Sequence, residues 1–187
     1  MNYGVYSRAK HERAISGDAY AVREEPGGVL FGLVDGLGSG EEAARAARIA
    51  VDQVEKNSSL SLLEILQQCH LALRATRGVV LGLLRVSLTE NKMRYAGVGN
   101  IGIRVLAQEP FHPISYNGIV GYRLPRVHEF VGNYHPGDIL VLYSDGIDSR
   151  FHSDEVLLHR EQDPQSLAEA IARRYGKDDD ICVLVAR

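Results

Sequence analysis

Acidic residues stand where apolar runs end. Val29-Leu30-Phe31-Gly32-Leu33-Val34 runs into Asp35-Gly36-Leu37-Gly38, and Ile139-Leu140-Val141-Leu142-Tyr143 runs into Ser144-Asp145-Gly146. Near the C-terminus, Asp178-Asp179-Asp180 opens directly into Ile181-Cys182-Val183-Leu184-Val185. Continuous apolar runs of this length have the composition of strands buried on both faces. A carboxylate at the lip of such a core costs desolvation energy unless a cation or hydrogen bonds compensate it. Taken singly, each aspartate reads equally well as a turn residue bonded to its own backbone. Taken together, three strand ends that converge on one spot would crowd carboxylates that repel. Hard divalent cations such as Mg²⁺, Mn²⁺ and Ca²⁺ choose oxygen ligands and resolve that conflict. The pattern therefore points to a metal centre.

The elements that must position these residues follow from the rest of the chain. Residues 2–8 alternate weakly and form a first strand; 18–24 and 28–34, joined by Glu25-Pro26-Gly27, form a hairpin. In that hairpin a strand opening at Asp18 lies beside the end of the strand that finishes at Asp35, adding a fourth carboxylate. Ser39 and Glu42 have the spacing of a capping box, so a helix is expected from Ser39 to about Lys56, with Ala43, Ala47, Ala50 and Val54 as its packing face. Ser61 and Glu64 offer a second capping box, followed by a stripe of Leu62, Leu66, Cys69 and Leu73; His70 beside it reads as a packed or surface histidine. Strands are expected at 79–88, 92–98 and 100–107, with short turns that indicate antiparallel pairing of successive members. An irregular excursion over 108–125, a strand near 126–131 and a strand over 138–144 come next. A short polar segment contains Phe151-His152-Ser153-Asp154-Glu155. Asp163 and Pro164 then open a last helix with Leu167, Ile171 and Tyr175 buried and Gly176 at its end, before a strand over 180–186. Strands, two helices, a run of strands, then helix and strand is an α+β order; the regular β-α alternation of a doubly wound fold is missing from the middle.

At 187 residues and a formal net charge of -3, the chain suits one domain with a sizeable core and lacks the basic face that general nucleic-acid binding needs. Cys69 and Cys182 sit inside apolar patterns and share no metal-ligand spacing, as buried free thiols do in a reducing compartment. No run of about 18 apolar residues and no signal-peptide core appears, so a cytoplasmic protein without a membrane span is expected.

Five motifs, Arg13-x-x-x-Gly17-Asp18, Asp35-Gly36-x-Gly38, Ala96-Gly97-x-Gly99-Asn100, Ser144-Asp145-Gly146-Ile147 and Asp179-Asp180-Ile181, resemble in order and spacing those of the PPM family of metal-dependent serine/threonine protein phosphatases. The short length and the Gly-Asp form of the first motif are similar to its bacterial sporulation and stress-response branch. The resemblance implies one PPM-type domain over 1–187, an α-β-β-α sandwich of two antiparallel sheets flanked by helices, and two Mn²⁺ or Mg²⁺ ions at one edge of the sheets. It implies that Asp35 bridges the ions, that the Gly36 carbonyl binds one, that Asp145 and Asp179 hold the other, and that Asp18 acts on the Gly36 side. Arg13 falls where the family places a basic residue that grips the substrate phosphate. The implied reaction is hydrolysis of phosphoserine or phosphothreonine on a stressosome-type partner protein, by a monomer, with the ions acidifying a water and clamping the phosphate oxygens. Two departures stand out. Gly17 occupies a position that is acidic in eukaryotic members, and Leu37 a position where they carry a histidine often assigned as general acid. Leaving-group protonation then falls to metal-bound water or another residue.

Two other readings compete. Gly36-Leu37-Gly38-Ser39-Gly40 at a helix start could cradle a nucleotide phosphate, but the spacing is not G-x-G-x-x-G, no lysine follows, and Glu41 and Glu42 would repel the ligand. Gly17 and Leu37 also suit a catalytically weak or inactive binding module for a phosphorylated regulatory protein.

Overall fold

Side chains alternating along the strands sort this protein into layers. The computed structural model describes residues 1–10, 15–148, 150–152 and 161–187. Arg13 and residues 153–155 of the polar segment lie outside them. The strands are β1 (Tyr3–Arg8), β2 (Asp18–Glu25), β3 (Gly28–Gly36), β4 (Val79–Ser87), β5 (Lys92–Val98), β6 (Gly102–Leu106), β7 (Phe130–Asn133), β8 (Ile139–Tyr143) and β9 (Ile181–Ala186). The helices are α1 (Glu41–Lys56), α2 (Leu62–Ala72) and α3 (Pro164–Tyr175). One sheet has four strands in the order β1-β9-β8-β6 and the other five in the order β2-β3-β4-β5-β7. Every ladder is antiparallel.

In β8, Leu140 and Leu142 face the five-stranded sheet, meeting Phe31, Leu33, Leu84 and Tyr95, while Ile139, Val141 and Tyr143 face α3 through Leu167 and Ile171. β9 divides the same way, Cys182 and Leu184 inward, Ile181, Val183 and Val185 toward α3. On the far side Val34, Leu81, Leu83 and Ala96 pack under Ala46, Ala47, Ala50 and Val54 of α1 and Leu62, Leu66, Cys69 and Leu73 of α2. The result is the expected four-layer α-β-β-α sandwich. The central strands are two-faced apolar runs because both of their faces are covered.

Three local features refine the sequence reading. The capping box of α2 forms as expected: the Glu64 N–H donates to Ser61 Oγ and the Ser61 N–H to Glu64 Oε2. The one expected for α1 does not. Its N-cap is Gly40 at φ 72°, with no side-chain cap, so the helix begins at Glu41 rather than Ser39; Gly38 at φ 98° and Gly40 spend the residues in between on a left-handed turn. Nor do the successive strands 92–98 and 100–107 pair. β5 belongs to the five-stranded sheet and β6 to the four-stranded one, and the chain changes sheet at Gly99, at φ 95°, where a Cβ would fall 2.1 Å from Val80 Cγ1. Among the described residues no helix is long and apolar enough to cross a membrane.

Candidate active site

The β2–β3 hairpin places Asp18 directly opposite Asp35, the last pair before the strands part. β3 continues through Gly36, whose N–H donates to the Gly17 carbonyl at 3.0 Å. Gly36 is fixed by crowding: a Cβ there would lie 2.2 Å from the Ala43 carbonyl oxygen, so α1 seats against the end of β3 only because residue 36 has no side chain. From the other sheet, β8 ends in Ser144-Asp145 and β9 begins after Asp179-Asp180. Their mutual position is locked by the Ser144 N–H donating to the Cys182 carbonyl at 3.0 Å and the Cys182 N–H donating to Ser144 Oγ at 2.9 Å. The two sheets thus deliver Asp18, Asp35, Asp145, Asp179 and Asp180 to one cavity of about 260 Å³, walled in addition by Leu37, Gly38, Val80 and Asn100. Among the described residues no three such side chains stand close enough to form a ready-made ion cage; the carboxylates ring the cavity instead. A larger cavity, about 560 Å³, opens at the opposite ends of β6 and β8. There the buried Asp138 carboxylate already accepts from the N–H groups of Gln108 and His135.

The carboxylates differ in environment. Asp18 is only 8% exposed and its Oδ2 is buried with no hydrogen-bond partner. Burial first, then the charges of Asp35, Asp180 and Asp145, push its pKa up to about 8, against a lowering hydrogen bond from Ser144. Asp35 is raised to about 7 by burial and then by Asp145, Asp179 and Asp180. Asp18 and Asp35 face each other across the hairpin and each raises the cost of charging the other. Asp35 also shares the cavity with Asp145 and Asp179 from the other sheet. Asp145 and Asp179 are exposed.

Three residues quoted within the motifs but given no role by the sequence hold this arrangement. Asn100 Nδ2 donates to Asp145 Oδ2 at 2.9 Å and orients that carboxylate. Asp180 accepts from the N–H of Lys10 and of Gly17, both at 2.7 Å, and so fastens the two ends of the segment that carries Arg13. Ser144 serves both the β8–β9 junction and Asp18. A neutral amide after a glycine turn and the third of three aspartates carry no signal of their own; only the motif context marks them. His70, as expected, is packed: its Nδ1 accepts from the Gly121 N–H at 3.0 Å.

The donor set is wholly oxygen, it includes a buried carboxylate oxygen without a partner, and burial and mutual repulsion push the pKa of two of its members up. That set fits a hard divalent cation. Among the described residues no histidine or cysteine lines the cavity, as suits a hard rather than a soft metal.

The model of the family described as Stage II sporulation protein E (SpoIIE) matches residues 25–187. Phosphoserine phosphatase RsbX of Bacillus subtilis (strain 168) is 24% identical over 145 residues, covering 76% of this chain and 73% of RsbX. The crystal structure of RsbX in complex with magnesium superposes with a TM-score of 0.85 at 21% identity, over 97% of this chain and 92% of that one. A chain from the structure described as "The bacterial stressosome: a modular system that has been adapted to control secondary messenger signaling" gives a TM-score of 0.95 at 36% identity, covering 100% of this chain and 98% of that chain. With most of its length matched by the family model and its fold shared with these structures, the chain belongs to the SpoIIE family of PPM (PP2C-type) serine phosphatases.

Proposed function

We propose that this phosphatase hydrolyses phosphoserine or phosphothreonine on a stressosome-type regulatory protein, with two Mn²⁺ or Mg²⁺ ions held by Asp18, Asp35, the Gly36 carbonyl, Asp145 and Asp179. The observation that carries the reading is the meeting of Asp18 and Asp35, across one hairpin, with Asp145 and Asp179 from the other sheet, around a cavity in which Asp18 Oδ2 has no partner. When bound, divalent ions supply a water nucleophile at neutral pH and neutralise phosphate charge.

The chain's own groups have separable parts in this reading. Asp35, opposite Asp18 on the hairpin, is the shared ligand, as the family resemblance implies. Asn100 keeps Asp145 turned toward the cavity, a task of the kind outer-shell partners perform for ligating carboxylates. Asp180 is engaged by the backbone N–H groups of Lys10 and Gly17, and the family resemblance gives Arg13 the task of meeting the substrate phosphate through its guanidinium fork. Leu37 walls the cavity and moves no proton, so the leaving seryl oxygen takes its proton from water. The likeness to RsbX and to the stressosome-described chain supports the choice of partner. Buried free Cys69 and Cys182 suit a cytoplasmic setting. We take the domain to span 1–187 and to work as a monomer.

The test is phosphate release from a phosphoserine peptide by chelator-treated protein before and after Mn²⁺ is restored. Turnover should return with the metal, and Asp35→Asn or Asp145→Asn should stay folded with kcat reduced by at least about 10²-fold. Undiminished turnover in either variant sinks the assignment of the ligands.

A further inference from the structure

The ladder that places Asp35 continues past it. β3 and β4 pair Asp35 with Val80 and Gly36 with Val79. The Leu37 N–H then donates to the Gly78 carbonyl at 3.0 Å. The same register sets Arg77 opposite Gly38, and the side chain follows: Arg77 Nη1 stands 2.7 Å from where a Cβ on Gly38 would be, with Cδ and Cζ at 3.8 Å. Gly38 is itself a wall of the acidic cavity, so the guanidinium lies next to a wall residue that leaves room for it. The corner is braced from behind. Val79 and Val120 exchange N–H···O bonds of 2.9 Å, and Ile119 and the Val120 carbonyl close around Gly78, leaving no space for a Cβ there.

Arg77 is exposed, and among the described residues no carboxylate lies within ion-pair distance of it. It therefore forms no ion pair with Asp35, Asp145 or Asp179. An incoming phosphate monoester is repelled by those carboxylates, and a guanidinium beside Gly38 offers it paired charge-assisted hydrogen bonds. From this placement we infer that Arg77 is a phosphate-contacting residue, reaching across Gly38 to the phosphoryl group of the bound substrate. The inference rests on the phosphatase reading above and assigns a cation to that site which comes from the β4 side, on a different element from the segment carrying Arg13.

The experiment compares wild type, Arg77→Ala and Arg77→Lys, all Mg²⁺-loaded. The measurements are hydrolysis of p-nitrophenyl phosphate and of a phosphoserine peptide, and calorimetric binding of inorganic phosphate. In Arg77→Ala we expect KM for both substrates and the Kd for phosphate to rise about tenfold, with kcat within about threefold of wild type and an unchanged thermal midpoint. Arg77→Lys should fall in between, since it keeps the charge and loses the fork. Unchanged phosphate affinity in Arg77→Ala overturns the inference, as does a KM increase confined to the peptide, which would assign Arg77 to the protein flank of the substrate. If wild type hydrolyses neither substrate, the phosphatase reading fails separately, and the phosphate calorimetry still decides the role of Arg77.

Discussion

Replacing Asp18 by asparagine should make the metal-free protein more stable in alkali. In the folded state the Asp18 carboxyl is held near pKa 8, chiefly by burial and by Asp35 opposite it. The unfolded chain releases the same proton near pH 4. Between these values the folded state carries a proton that the unfolded chain has lost, so stability falls as pH rises through the window and is lowest above pH 8. Converted at 1.36 kcal/mol per tenfold, the displacement to about 8 sets a ceiling of about 6 kcal/mol on the cost of ionised Asp18. Water entry and side-chain rotation relieve part of that cost, and about 3 kcal/mol is expected. Against a total stability of roughly 5–15 kcal/mol for a domain, this is readily measured. Asparagine keeps the shape and removes the charge. The pH dependence due to groups that do not interact with Asp18 is common to both proteins, so the difference between them reports Asp18 together with its coupling to Asp35. Urea unfolding followed by circular dichroism in EDTA, at pH 5 and at pH 9, reads it. The two proteins should match within about 1 kcal/mol at pH 5 and diverge at pH 9 in favour of the variant. A variant that is equally stable or less stable at pH 9 would refute the claim that the folded site holds an uncompensated carboxylate.

Two further outcomes follow from contacts in the same region. Asn100→Ala removes the only hydrogen bond assigned to Asp145 among the described residues; kcat for phosphoserine peptide should drop about 10- to 100-fold in a protein of unchanged melting temperature. Gly36→Ala drives a methyl to 2.2 Å from the Ala43 carbonyl and must displace α1; its melting temperature should fall by more than about 8 °C, the largest shift that about 2 kcal/mol produces in a domain of this size.

The fold was legible because its strands advertise themselves. Two-faced apolar runs such as 139–143 and 181–186 can only be interior strands, and the Pro26-Gly27 turn fixes the hairpin register that brings Asp18 to Asp35. The acidic strand ends were legible for the same reason, since a carboxylate terminating a buried run is a local contradiction. What the sequence concealed was long-range. Nothing in Gly97-Val98-Gly99-Asn100 says that the chain leaves one sheet for the other rather than turning back in the same one, because a glycine at positive φ serves both. Ser39 satisfies the capping pattern on paper, yet the left-handed glycines on either side of it consume the turn in which it would have capped. Asp180 and Arg77 acquire their roles from partners 163 residues away in the case of Gly17, and from a strand register extended past its last pair in the case of Gly38.

The most direct measurement is a calorimetric titration of metal-free protein with Mn²⁺, run in parallel on wild type and Asp35→Asn. Wild type should take up the ion with displacement of protons, as carboxyls held near neutrality give them up, and the variant should lose most of that binding. Absence of Mn²⁺ uptake by wild type, or equal uptake by Asp35→Asn, would contradict the account at its centre.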